Sequence, residues 1–253
     1  MKTARFDLLF IACCNIVFAD KIEQLLEQEG GMDHRQIMVR QHKRLYLVRH
    51  GETNLNRENR SQPPEAELSA LGLTQVGCLA ARLIYVDFDR IISSDMERAR
   101  ATASVIAAFT DKEVTFSELL REMKRPSEIV GKHFDDASVA HVRRDVRFHE
   151  RERDWYYSDE ENIFDLCERA FKAKEYVNEQ PERNMVVVSH GVFIRMFFCA
   201  LVTETEENAL SLYWNLKYCM HVNNASISVL EFSEFDGHVR WRVRTWNDFG
   251  HLT

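Results

Sequence analysis

The sequence has no CxxC pair, no cysteines or histidines at metal-ligand spacing, no excess of positive charge, no internal repeat and no low-complexity linker. These absences exclude a zinc ribbon, a dithiol redox centre, a solenoid and a general polyanion-binding protein. With 33 basic against 40 acidic residues, the formal net charge of -7 gives no global attraction to nucleic acid or to an anionic membrane. Any anion the chain binds must be held by a local cluster of positive groups. The six cysteines, at 13, 14, 78, 167, 199 and 219, stand in a 253-residue chain too large to need disulfide staples. They read as mostly buried thiols of a reducing compartment.

The chain also lacks an apolar run of bilayer length. "MKTARFDLLFIACCNIVFAD" sets Lys2 and Arg5 ahead of an apolar run over 8–19, with Val17 and Ala19 where a secretory signal is cleaved. Asp7 interrupts that junction, and the run is too short to span a bilayer as a helix. Met32 and Met38 offer alternative starts. Residues 1–41 are therefore taken as an N-terminal extension to a cytoplasmic protein, the alternative being an exported one.

What is present is an α/β rhythm over 42–253. "RLYLVR", "DRIISS", "EVTFS" and "NMVVVSHG" read as strands, separated by the helix-period segments "LSALGLTQVGCLAARLI", "DMERARATASVIAAF" and "ENIFDLCERAFKAKEYVNEQ". Ser69 is a natural N-cap for the first of these helices. "VFIRMFFCALV" is a strongly apolar helix, and "ASISVLEFS" and "HVRWRVRTW" are alternating strands joined by the turn "EFDG". The pattern predicts one three-layer α/β/α domain with a mostly parallel, mixed sheet. A charged stretch, about 123–162, breaks the rhythm and reads as a small helical cap insertion over one end of the sheet. Within it Arg143, Arg144, Arg147, Arg151 and Arg153 alternate with acids, as a solvated helical face with i, i+4 pairs does. Trp214, Trp241 and Trp246 are expected to pack core and sheet faces.

Open α/β sheets bind ligands beyond the carboxyl ends of their strands. Arg49, His50 and Gly51 close the first strand, Ser94 and Asp95 the second with Arg98 a turn further on, and His190 and Gly191 the fourth. Two guanidinium groups and two imidazoles at helix N-termini suit a phosphate dianion. A histidine held neutral in one tautomer can attack phosphorus, and the carbonyl of Gly51 or a neighbour could fix that tautomer by accepting from Nδ1. Gly51 is expected to give the turn conformational freedom. Glu122, just past the third strand, is the candidate general acid, in competition with Glu118, Glu128 and the second carboxylate of "SDEEN". Thr53 reads as a loop former that bonds its own backbone. No spacing gathers His133, His141, His149, His221, His238 and His251 around a metal, and no metal or cofactor is expected.

"LVRHGETNLN", "SSDMERARATA", "LLREMKRPSE" and "VVVSHG", in this order, resemble the histidine phosphatase superfamily, which also contains the cofactor-dependent phosphoglycerate mutases. The resemblance spans 44 to about 200. It implies that His50 is the nucleophile, that Arg49, Arg98, His190 and Asn56 bind phosphate, and that Glu122 donates the proton. The expected activity is metal-independent hydrolysis of a small phosphate monoester through a phosphohistidine. A mutase-type phosphotransfer and a catalytically silent phospho-ligand-binding domain are the alternatives. The segment between Glu122 and His190 is short for a mutase, and "EMKRPSEIVGK" departs from the mutase pattern around the acid. The expected partner is a small-molecule ester, not nucleic acid or a membrane, and "HVRWRVRTW" offers an edge through which two copies could pair.

Overall fold

Strand β1, Lys43–Arg49, has Leu45, Tyr46, Leu47 and Val48 all buried, without the alternation of a one-sided strand. Leu45 and Leu47 enter one apolar cluster and Tyr46 and Val48 another, so the strand is covered on both faces. The computed structural model describes residues 42–235 and 238–253. The apolar run over 8–19, the alternative starts and the centre of the "EFDG" turn lie outside the described residues.

The other strands are β2 (Arg90–Ser94), β3 (Val114–Ser117), β4 (Asn184–Ser189), β5 (Ile227–Phe235) and β6 (His238–Asp248). They form one six-stranded sheet in the order β3-β2-β4-β1-β5-β6. The first four positions are parallel, and β5 and β6 add antiparallel. The expected mixed sheet is thus present, with β6 at one edge and β3 at the other.

Seven α-helices run α1 (Asn54–Arg57), α2 (Ala70–Leu83), α3 (Glu97–Thr110), α4 (Ala140–Phe148), α5 (Ile163–Glu179), α6 (Gly191–Val202) and α7 (Glu206–Leu216) among the described residues. Helices α2 and α3 cover one face through Leu79, Leu83, Ala103 and Ile106. The other face is covered by α5, α6 and α7, with Phe193 and Phe197 fully buried and stacked at 5.5 Å. Each such ring contributes on the order of 1.5–3 kcal/mol by leaving water. Ser69 caps α2 by accepting from the Gly72 N–H, and Asn162 with Asp165 makes a capping box for α5. Trp241 is in the core, with Trp214 and Trp246 packed against it.

The insertion between β3 and α5 holds α4 and short 3-10 turns on a small core of Ile129, Val139 and Val142. Its arginines do not form the expected i, i+4 pairs. Arg143 lies over Phe134, Arg151 over Trp214, and Arg153 over Phe164 with Glu206 at 3.5 Å. The cysteines also depart from expectation: Cys167 and Cys199 are buried, but Cys78 and Cys219 are exposed. Cys78 precedes the buried Leu79 on amphipathic α2 and so faces outward, and Cys219 lies in the turn after α7. No helix among the described residues is long and apolar enough to cross a membrane.

Register sets the site. Arg49 of β1 pairs with Ser189 of β4, and Ser93 of β2 with Val188. Three strands therefore end level, and His50, Asp95 and His190 follow them directly on one sheet edge.

Candidate active site

The His50 N–H donates to the Ser189 carbonyl at 3.0 Å, so the ladder holds one residue past the strand. The loop then packs against α2 so closely that it needs two glycines. A Cβ on Gly51 would stand 2.7 Å from Val76 Cγ2 and 2.8 Å from the Gly72 carbonyl oxygen, and one on Gly72 would collide with the Glu52 carbonyl oxygen. Gly51 is thus required by close approach. The expectation of conformational freedom is corrected, because among the described glycines only Gly131 has a positive φ.

His50 is 2% exposed. Its Nδ1 lies 2.7 Å from the Gly51 carbonyl, and the Arg98 Nε–H donates to its Nε2 at 3.3 Å. A guanidinium can only donate, so Nε2 carries the lone pair and Nδ1 the proton. Burial drives the imidazole well below its ordinary pKa; the Arg98 and Arg49 charges lower it further, against the Gly51 carbonyl. The nitrogen left basic is the one that faces Arg98.

Arg98, in the first turn of α3, is itself buried and donates to the Pro63 carbonyl at 3.0 Å. Burial lowers it to about 10, with Glu122 opposing, so it stays cationic at neutral pH. Asp95 does not compete for it, being clasped by Arg121 at 2.7 and 2.5 Å. Arg49 donates to the Val222 carbonyl at 2.7 Å, and its Nε is buried without a partner. His190, fully buried, has Nε2 at 2.8 Å from Ser94 Oγ and an unpartnered Nδ1; its ring lies 5.1 Å from that of His50. Burial, then the Arg98 charge, also holds His190 well below its ordinary pKa.

Both oxygens of Glu122 accept from the N-terminus of α6: Val192 N–H at 3.1 Å and Phe193 N–H at 3.0 Å. That end carries a positive dipole and free donors. Glu118 instead pairs with Arg121, Glu128 accepts from Ser158 Oγ, and Glu160 accepts from the Tyr157 and Ser158 N–H groups. Asn56 and Thr53 form a capping box on α1. Because Asn56 Oδ1 already accepts from the Thr53 N–H and from Asn224 Nδ2, each at 3.2 Å, its own amide NH₂ is the group left for an anion.

Arg49, His50, Asn56, Arg98 and Glu122 line one cleft of about 1240 Å³, with His190 packed behind His50. The six predicted residues therefore gather at one place. Sequence reasoning missed Asn224, which donates to the His50 carbonyl at 3.0 Å from a loop far along the chain and carries no motif. It also missed Thr102, whose Oγ1 accepts from the Gly51 N–H at 3.2 Å and donates to the Arg98 carbonyl at 2.8 Å. A signal existed there, since Thr102 is one helical turn after Arg98. Among the described residues, no group of three or more histidines, cysteines and carboxylates could hold a metal ion.

Burying two neutral imidazoles has a measurable consequence. Their pKa values are depressed from 6.5 in the folded chain, so the unfolded chain takes up protons first as pH falls. Stability is therefore expected to decline below about pH 6.5, by up to about 1.4 kcal/mol per pH unit for each histidine. Urea denaturation at pH 7.5, 6.5 and 5.5 measures this, and an unchanged midpoint would show that the imidazoles do not stay neutral.

Residues 45–249 match the model of the histidine phosphatase superfamily (branch 1). The chain is 30% identical over 187 residues to a Hydrogenobacter thermophilus protein named "Putative phosphoserine phosphatase 2", covering 74% of this chain and 88% of that one. It is 29% identical over 211 residues to an Escherichia coli protein named "Probable phosphoglycerate mutase GpmB", covering 82% and 94%. Among solved structures, a mycobacterial glucosyl-3-phosphoglycerate phosphatase in complex with VO3 superposes with a TM-score of 0.64 at 28% identity, over 81% of this chain and 99% of that one.

Proposed function

The chain belongs to the histidine phosphatase superfamily (branch 1), and from that premise we propose that it is a metal-independent phosphomonoester hydrolase working through a phosphohistidine at His50. The family and its phosphatase-named relatives indicate a phosphatase. The observation that carries the finer reading is the orientation of His50: Nδ1–H donates to the Gly51 carbonyl, and Nε2 is left basic facing Arg98.

In the proposed reaction, Nε2 attacks phosphorus, a P–N bond forms and the ester P–O bond breaks. Arg49 and Arg98 donate to the oxygens on which charge gathers. The Ser94 hydroxyl accepts from the Met96 N–H and can donate to His190 Nε2, which leaves a proton on Nδ1 of His190 for the same oxygens. The leaving alkoxide takes a proton from the Glu122 carboxyl group. Water then attacks the phosphohistidine and gives a proton back to Glu122; a P–O bond forms as the P–N bond breaks, its electron pair returns to Nε2, and inorganic phosphate leaves.

The mutase-named relative supports a second reading, in which the phosphohistidine passes its phosphoryl group to an acceptor instead of water. Both are tested on purified protein treated with a chelator. The expected result is release of inorganic phosphate from p-nitrophenyl phosphate at the untreated rate. No conversion of 3-phosphoglycerate to 2-phosphoglycerate is expected with a bisphosphoglycerate primer. Loss of turnover on chelation would sink metal independence, and primed interconversion would establish the mutase.

A further inference from the structure

Eight arginines and lysines line the cleft, and four of them are already matched by carboxylates. Arg60 meets Glu58 at 3.0 Å, Arg121 meets Asp95 at 2.5 Å, Lys124 meets Asp159 at 3.0 Å and Arg169 meets Glu161 at 2.6 Å. Arg49 and Arg98 belong to the pocket around His50. Arg125 and Arg195 remain. Among the described residues neither side chain has an ion pair or a hydrogen bond, and the Arg195 Nε is buried with no partner. Enclosing a guanidinium N–H without an acceptor is costly, and such a group is a strong, bidentate anion donor.

Their placement relative to the phosphate pocket is set by α6. Gly191 begins that helix against Arg49, a Cβ there standing 3.4 Å from Arg49 Nε. Arg195 follows four residues later, one turn along and on the same face, about 6 Å down the axis. Arg125 comes to the cleft from the insertion. Both arginines act on one buried neighbour: burial pushes the Tyr213 hydroxyl up, and Arg195 and then Arg125 draw it down.

We propose that Arg125 and Arg195 form a second anion subsite, selecting phosphate monoesters that carry a further anionic group, a carboxylate or a second phosphate, about one helical turn from the ester phosphate. This rests on the phosphomonoesterase reading of the His50 pocket. A neutral ester would leave both guanidinium groups, with the buried Arg195 Nε, without a counter-charge, whereas a doubly anionic one would satisfy them together.

The test compares 3-phosphoglycerate, 1,3-propanediol bisphosphate and glycerol 3-phosphate, which replaces the carboxylate of the first with a hydroxymethyl group. Steady-state kinetics and calorimetric binding to full-length His50→Ala protein are the two readouts, with p-nitrophenyl phosphate as reference ester. One doubly anionic ester is expected to exceed glycerol 3-phosphate by roughly tenfold or more in kcat/KM, mainly through KM, and in affinity. Which of the two does so distinguishes a carboxylate subsite from a phosphate one. Arg195→Gln and Arg125→Gln should each bring that ratio close to one, and Arg195→Lys should retain part of it. Equal kcat/KM and equal affinity for all three, with p-nitrophenyl phosphate still hydrolysed, overturns the subsite and leaves the phosphatase reading standing. No hydrolysis of any ester, with the binding preference present and lost in the variants, overturns the phosphatase reading and leaves the subsite.

Discussion

His50→Ala is expected to lower kcat on every phosphate ester by at least about a thousandfold, because a nucleophile that acts in concert with its pocket cannot be replaced by the rest of it. The geometry makes this substitution unusually clean. His50 donates to a main-chain carbonyl of its own loop, and the fold at that point is held by the backbone bond to Ser189 and by Asn224 on the His50 carbonyl, neither of which uses the imidazole. The variant should therefore fold, keep Arg49 and Arg98 in place and still bind inorganic phosphate. Rapid quenching of wild type with a phosphorus-labelled ester should trap an acid-labile, base-stable phosphoprotein that is absent from the variant. Retention of more than about a tenth of wild-type turnover by His50→Ala would show that the nucleophile lies elsewhere.

The strand ends were readable in the sequence because they obey a local rule: an apolar run stops, a histidine follows, and a glycine permits the close packing that comes next. "VVVSHG" and "LYLVRHG" show this twice, and the β1–β4 register brings the two histidines side by side. The order β3-β2-β4-β1-β5-β6 was not readable, because pairing is decided by faces and crossovers and not by any one strand. The same limit applied within the site. Glu122 could be placed near the rim, but its seat on α6 depends on Arg169. That residue, from α5, donates to the Leu119 and Arg121 carbonyls at 2.9 and 2.8 Å and so fixes the segment that carries the acid. In the sequence Arg169 is one more charged position on an amphipathic helix. Asn224 was hidden for a similar reason, since a loop asparagine shows its worth only against the loop it touches.

Glu122→Gln separates chemistry from capping. If Glu122 protonates the leaving group, its loss should lower kcat on an alkyl phosphate by about 10² to 10⁴. On p-nitrophenyl phosphate the loss should be far smaller, because nitrophenolate departs without a proton. A second effect follows from the electrostatics. The Glu122 charge opposes the effect of burial on both Arg49 and Arg98, so its removal leaves the pocket more cationic. Inorganic phosphate should then inhibit the variant more strongly than wild type even as turnover falls. A residue that merely capped α6 would behave otherwise. A side-chain amide in place of the carboxylate can accept on one atom only, against the Val192, Phe193 and Met123 N–H groups that Glu122 now receives. A purely structural loss would therefore fall equally on both esters and would weaken phosphate binding as the helix end shifted. The ratio of the two kcat values, read together with the phosphate inhibition constant, decides whether the carboxyl group acts on the substrate or only on the helix.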